Sequence, residues 1–417
     1  MADKSAALSL GRRQARAAVF AAQGLLAPGR NLVSVLEENG FVRTLGGIDV
    51  YLALKARLPG LRREEVDAAV IEHRAQVLPA ARGCIYLLAR AHAPVALRVA
   101  DLLSAPREKR EHVKAGIRPG EVGEIAAAAH ELLRAKGPLT TNAIRAGLPK
   151  EMVRSLGDAG KKLGISSPLP GALRRLEFQG DIERTLEDGR LDSERYLWRA
   201  TGRNLFAGAG VPEDPAALYA RFAEIFFRAA GLATRKTFAD WAGFSQKDAQ
   251  AAIEKLGLLA IEVEGEKETF YALPASRELL AADPAEAEAA IAFLPFEDNA
   301  QALQGGPAFL ANGEHHAIEV QAWGMGAKKV KLGEAKHAQL RSFLAEGRLA
   351  GFWEYDPDGR TIALGLLSGA KPETRRRAEE KAAKLTAFIA EDLGHGRSFS
   401  LDTDKDLRER SAYLRTW

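Results

Sequence analysis

Asp49 is the only acid between Glu38 and Glu64. It follows Gly46-Gly47 in RTLGGIDVYLALKARL, where a helix is expected to start at the glycine pair and run on to Leu58. A lone carboxylate there has two uses. It can occupy the first helical turn, where the dipole favours negative charge. It can also face a reacting centre, stabilise developing positive charge, and align or deprotonate a water. Lys55, six residues on, carries an amine capable of Schiff-base chemistry. Glu314, His315 and His316 are contiguous, but neighbours on a strand point to opposite faces, so no metal site is expected. Cys84 is the one cysteine, which excludes a disulfide framework, an iron–sulfur cluster and a cysteine-based zinc site and fits a reducing cytoplasm. A small buried core residue is expected there. No GxxxxGK[ST] occurs, which removes P-loop nucleotidases, and Gly208-Ala209-Gly210, with no strand before it, reads as a loop. The residues imply no cofactor.

Arginine supplies the second chemistry. The net charge is only +4 over 417 residues, but residues 1–120 hold 19 Lys/Arg against 11 Asp/Glu, whereas residues 201–300 hold 9 against 16. Guanidinium forks match phosphate oxygens better than ammonium point charges do. A phosphate-tracking surface is therefore expected, with Arg43, Lys55, Arg57, Arg174, Arg175 and Arg190 as contacts. Lys328 and Lys329 join them from WGMGAKKVKLG, read as a flexible basic loop around Met325.

The elements that position these residues are mainly helical. Hydrophobic residues make up 47% and aromatics only 7%, with Ala and Leu prominent, a helix-favouring balance. The length suggests two to four units. Helices are expected over residues 8–27, with Ser9 as N-cap, over 32–40 and over 64–73; residues 76–88 read as a buried strand broken by a turn at Pro79–Gly83. Residues 121–200 run helix, Gly-Pro break, helix, helix and hairpin around Gly189, the order of a winged helix. Residues 216–272 repeat that order, with a Ser-capped helix and a hairpin turning at Gly265. A linker helix follows at 278–292, then strands from 293 and a helix at about 372–392. The fold class is thus mainly α with β-hairpin wings: tandem winged-helix units plus a β-rich C-terminal region. Four segments are expected: 1–120 with the active site, winged helices at 121–205 and 211–275, and an α/β region at 290–417. No apolar run reaches the ~18 residues of a membrane span, and MADKSAALSLGRRQAR lacks a signal-peptide core. A cytoplasmic, nucleoid-associated monomer is expected.

Several segments in order resemble the winged-helix DNA glycosylase family, the AlkZ-like and YcaQ-like proteins. LSLGRRQARAAVFAAQGL is similar to that family's "LSL…AR…AAQGL" opening, and LGGIDVYLALKARL to its "LQID…R" active-site helix. VLPAARGCIYLL resembles the strand that follows, and FLPFEDN and GRLAGFWEYD its "LLPxxD" and "GRxVGxW" segments. The resemblance implies tandem winged helices on double-stranded DNA and excision of bulky, alkylated or crosslinked bases. Its catalytic triplet, Gln, an apolar residue, then Gln or Asp, falls on Gly47-Ile48-Asp49, so Asp49 is the implied catalytic residue and the first glutamine is missing. Two outcomes are open: catalysis is lost and DNA binding kept, or glycine makes room for a larger, hypermodified base. Breaking the bond builds positive charge on the sugar, which a carboxylate stabilises. Gly47, Ile48, Tyr86 and Arg82 are the expected base-pocket residues, with His73 a further proton donor. Simple hydrolysis is expected over a Lys55 lyase. The target base must leave the stack unless its adduct is read in the groove.

Overall fold

The computed structural model describes residues 8–322 and 328–417. Met325, the centre of the expected basic loop, lies outside the described residues. The chain groups into two units, one taking it up to Val66 and again from Tyr219 to Trp417, the other Asp67–Leu218. The expected 1–120 segment therefore divides at residue 66. The architecture is mixed α/β with small sheets.

In the first unit, the opening residues are not helical as expected. Leu8–Leu10 is a strand lying parallel to Leu259–Val263, with Ser9 opposite Glu262. The helix begins after it, Arg12–Ala22, with Gly11 and not Ser9 at its N-cap. A strand partner remote in sequence overrides a local capping signal here. Leu259–Val263 also pairs antiparallel with Phe270–Ala272, and that strand with Ala233–Thr234. Between them lie helices Arg235–Ala242, capped by Thr234, and Gln246–Leu256, capped by Ser245, preceded by Pro215–Ala230. The expected linker helix is two short helices, Arg277–Leu280 and Pro284–Ala289, since Pro284 starts a new helix after Asp283.

The C-terminal sheet is an antiparallel run of Ile291–Phe293, Arg341–Ala345, Arg348–Asp356 and Thr361–Leu366. All nine residues of Arg348–Asp356 are buried. Gly351 is obligatory in that strand, because a Cβ would stand 2.2 Å from the Gly365 carbonyl oxygen of its neighbour. Helices Pro372–Ala387 and Asp404–Leu414 follow, the second not foreseen. Phe20, Leu294, Leu310, Leu344 and Phe352 are fully buried together in one core.

The second unit is contiguous. It holds the hairpin Ala75–Pro79 with Ile85–Ala89, then helices Ala93–Lys114, Glu121–Lys136, Thr141–Gly147, Gly157–Lys161 and Leu169–Phe178, then the hairpin Ile182–Leu186 with Tyr196–Ala200. Thr140 caps the third of these helices, and Gly189 takes φ 73 between the last two strands. Ile125, Leu133, Ile144, Leu173 and Ile182 form its core. Among the described residues, no helix is long and apolar enough to cross a membrane.

Candidate active site

The helix Asp49–Arg57 buries six residues in its first two turns, Asp49 among them, and Arg57 at its end. Charges buried on such a helix must be paired. Both charged ends do so. Arg57 makes a bidentate contact with Asp298, at 2.9 and 2.8 Å, and gives further hydrogen bonds to Gln23 and the Ala53 carbonyl. Asp49 accepts from Nε and Nη2 of Arg341 on Oδ1, at 3.0 and 2.6 Å, and from the Phe296 backbone N–H on Oδ2, at 2.9 Å. Arg341 continues to Glu354 at 2.7 Å and to the Gly396 carbonyl at 2.8 Å, and its guanidinium lies 5.1 Å over the Trp353 ring. Glu354 and Asp402 share Arg410.

Burial pushes the Asp49 carboxyl up to about 6, although Arg341 and the Phe296 amide pull the other way. Burial also works to lower Arg341, but Asp49 and Glu354 outweigh it and hold the guanidinium charged. Asp49 is thus a carboxylate of raised basicity, fixed in orientation through both oxygens.

Beside it lies a crevice of about 10 Å³, lined by Asp49, Asn39, Arg43, Glu297, Asp298 and Asn299 among others. That is about the room of one water molecule. Two carboxylates face this space besides the one tied to Arg57. Glu297 Oε1 lies within hydrogen-bond reach of Nδ1 of His337, and its Oε2 lies 3.8 Å from Arg43. Sequence reading missed both Glu297 and His337. Neither stands out by type or spacing; the backbone of Glu297, at φ 56, marks it instead.

Gly47 does not open a pocket. Its φ is 91, and a Cβ there would stand 2.5 Å from the Arg397 carbonyl oxygen and 2.7 Å from the Phe399 nitrogen. The Ile48 amide donates to Arg397 O, and the Ser400 amide to Leu45 O, so the main chain of 397–400 already fills the space beside the glycine. Ile48 is fully buried. The expectation of a pocket enlarged at Gly47 is corrected accordingly.

The remaining expected residues divide. Arg57 cannot meet a phosphate, being 3% exposed and committed to Asp298. Lys55 donates to the Leu61 carbonyl and lies 4.3 Å over the Phe388 ring, with burial lowering its pKa. Arg43 is half-buried beside Glu297. In the second unit, Arg174 and Arg175 are exposed, Arg174 pairing with Glu108, while Arg190 is held by Asp192. Tyr86 there is buried on the strand Ile85–Ala89, and Arg82 is exposed in the preceding turn at φ 56. His73, also in that unit, has Nδ1 3.4 Å from Glu183. Lys328 and Lys329 are exposed; Lys329 lies 5.8 Å over the Tyr413 ring and lines an open groove of about 190 Å³. Cys84 is only half-buried and not a core residue, because it follows the turn that joins two strands. His315 and His316 lie on and just past a 3-10 turn, not on a strand, and their Nε2 atoms meet the carbonyls of Ser368 and Ala308. No group of residues suited to hold a metal occurs among the described residues.

Two outcomes test these placements. Gly47→Gln forces a side chain into a left-handed backbone position against a filled wall, a penalty of about 1–3 kcal/mol before any clash. Thermal unfolding should shift down, and any base excision should fall equally for large and small bases. Arg57→Met strands Asp298 without its partner, which costs about 3–5 kcal/mol. Denaturant unfolding should report that loss, while the DNA affinity of the folded protein stays unchanged.

The geometry can be set beside known proteins. No curated protein matches the chain. The solved structure of Streptomyces sahachiroi DNA glycosylase AlkZ aligns with a TM-score of 0.68 at 19% identity, covering 94% of this chain and 98% of that one. Likeness at that identity establishes a shared fold. A family model described as DNA glycosylase AlkZ-like matches residues 47–388, a span that opens at the Gly47-Ile48-Asp49 triplet and takes in Glu297, Asp298 and Arg341. With the family model covering most of its length, the chain belongs to the AlkZ-like DNA glycosylase family.

Proposed function

We propose that this protein hydrolyses the N-glycosidic bond of modified bases in double-stranded DNA: bulky alkylated, crosslinked or hypermodified ones. Repair, self-resistance to a DNA-damaging toxin and defence against modified phage DNA are the settings that fit. The observation that carries the reading is a basic, fixed carboxylate beside a water-sized crevice, in a chain of a DNA glycosylase family. As the C1′–N bond breaks, positive charge grows on the sugar, and Asp49 offers it a preoriented negative partner. Its bonds to Arg341 and Phe296 fix that orientation without any reorganisation during the reaction.

The crevice is too small for an extruded base. This supports attack on a sugar that stays close to the duplex, with the adduct read in the groove. The element orders of 121–200 and 215–272 support winged-helix units as the DNA-tracking parts. Arg174, Arg175, Lys328 and Lys329 are exposed cations suited to phosphate. Lys55, already bonded to Leu61, supports monofunctional hydrolysis over a lyase. A monomer bound along the nucleoid fits this role.

The experiment is single-turnover base release from a panel of modified duplexes, with affinity measured on the same DNA. Asp49→Asn should lower release by ~10²–10⁴-fold and leave affinity almost unchanged. With a folded-state pKa of about 6, Asp49 is charged above that pH, so wild-type release should rise as pH increases through about 6. Near-normal release by the Asn variant would end the case for Asp49. Absent release by the wild type on every duplex favours a DNA-binding protein without catalysis.

Duplex binding should weaken steeply with salt. If about 5 phosphates are neutralised, log K falls against log salt with a slope of about −4 to −5. A flat titration removes the DNA partner.

A further inference from the structure

Glu297 occupies a backbone position that a glutamate does not choose. Its φ of 56 lies in the left-handed region. Such strain survives only where the surroundings over-determine it, and it concentrates at functional sites. The cause here is visible on both sides. The Phe296 N–H is tied to Asp49 Oδ2, and Asp298 is tied to Arg57 and caps the helix Asn299–Ala302 through the Ala300 N–H. Both neighbours are thus anchored, and residue 297 between them is held left-handed. Glycine or asparagine would do so at lower cost. Glutamate is there nonetheless, and its carboxylate meets His337 on one oxygen and approaches Arg43 on the other.

This side chain lines the same water-sized crevice as Asp49. The two carboxylates differ in their commitments. Asp49 is locked by an arginine and an amide. Glu297 faces a histidine that is about one-third exposed, a group able to carry a proton onward to solvent.

We propose that Glu297 is a second catalytic residue, the general base for the attacking water, with His337 as the positioning residue that orients it. The inference rests on the glycosylase reading above. In this step the water oxygen bonds to C1′ and the C1′–N bond breaks, its electron pair leaving with the base. One water proton passes to Glu297 and on through His337 to solvent. A cationic N-alkylated base departs neutral and needs no proton. Asp49 then acts on the charge of the sugar and Glu297 on the water, a division of labour between two carboxylates in one crevice.

The test uses the full-length chain and a duplex carrying N7-methylguanine, with single-turnover release and affinity measured together. Glu297→Gln should lower release by ~10²–10⁴-fold with affinity unchanged. His337→Gln should lower it less, by about 10-fold, with affinity and Tm unchanged and the rise through about pH 6 set by Asp49 retained. Glu297→Gly relieves the left-handed backbone, so its Tm should equal or exceed that of the wild type while release is lost. Formate added to this Gly variant should restore part of the rate. A purely structural Glu297 predicts the reverse pattern: a lower Tm, no rescue by formate, and release in proportion to folded protein. Release by folded Glu297→Gln within threefold of the wild type overturns the assignment while leaving the glycosylase reading intact. No release by the wild type from this or any other modified duplex overturns both.

Discussion

The helix Asp49–Arg57 is buried at all but Lys55 and Ala56 and carries a buried charge at each end, and much of the first unit is arranged to satisfy them. An unpaired charge in such a place costs several kcal/mol. Arg341, from the C-terminal sheet, answers the negative end, and Asp298, from the loop after Ile291–Phe293, answers the positive end. Residues some 240 and 290 positions away in sequence are thereby required for the helix to be buried at all. The same pairings hold the loop 294–299, whose main chain donates to Asp49 and which turns left-handed at Glu297.

A second consequence concerns the wall beside the helix N-terminus. The glycine pair before Asp49 lets the chain 397–400 lie directly against it, joined by main-chain hydrogen bonds at Leu45 and Ile48. That segment is held in turn by Arg341 at Gly396, by Asp402 bonded to the Ser398 N–H, and by Arg410 on Asp402. Where the sequence resemblance leads one to expect a glutamine side chain, the main chain of 397–400 forms a wall. Glycine at this position therefore serves close approach and a left-handed φ, and gives no added space.

Burial gives Asp49 its chemical character. Losing hydration raises its pKa toward neutrality, while the fixed donors keep it pointed. A group of that kind suits a reaction that develops charge close by, since nothing must reorganise when the charge appears. The crevice of about 10 Å³ beside it matches a water and not a base.

The sequence by itself determined the local features. Asp49 as an isolated acid at a helix start, the serine cap at Ser245, the turn at Pro79–Gly83 and the hairpin at Gly189 were legible, because period, capping chemistry and turn residues are short-range signals. The family's ordered motifs were legible too, being strings of residues. What only the tertiary structure decided is who pays for each buried charge. Arg57 reads as a phosphate contact until Asp298 is seen across the core, and Gly47 reads as a vacancy until Arg397–Phe399 is seen to fill it. Leu8–Leu10 reads as the start of a helix until Leu259–Val263 pairs with it. Glu297 carries no sequence signal, because a glutamate gives no hint of a left-handed backbone. Desolvation and strand pairing depend on which remote residues arrive, and that information exists only once the chain has folded.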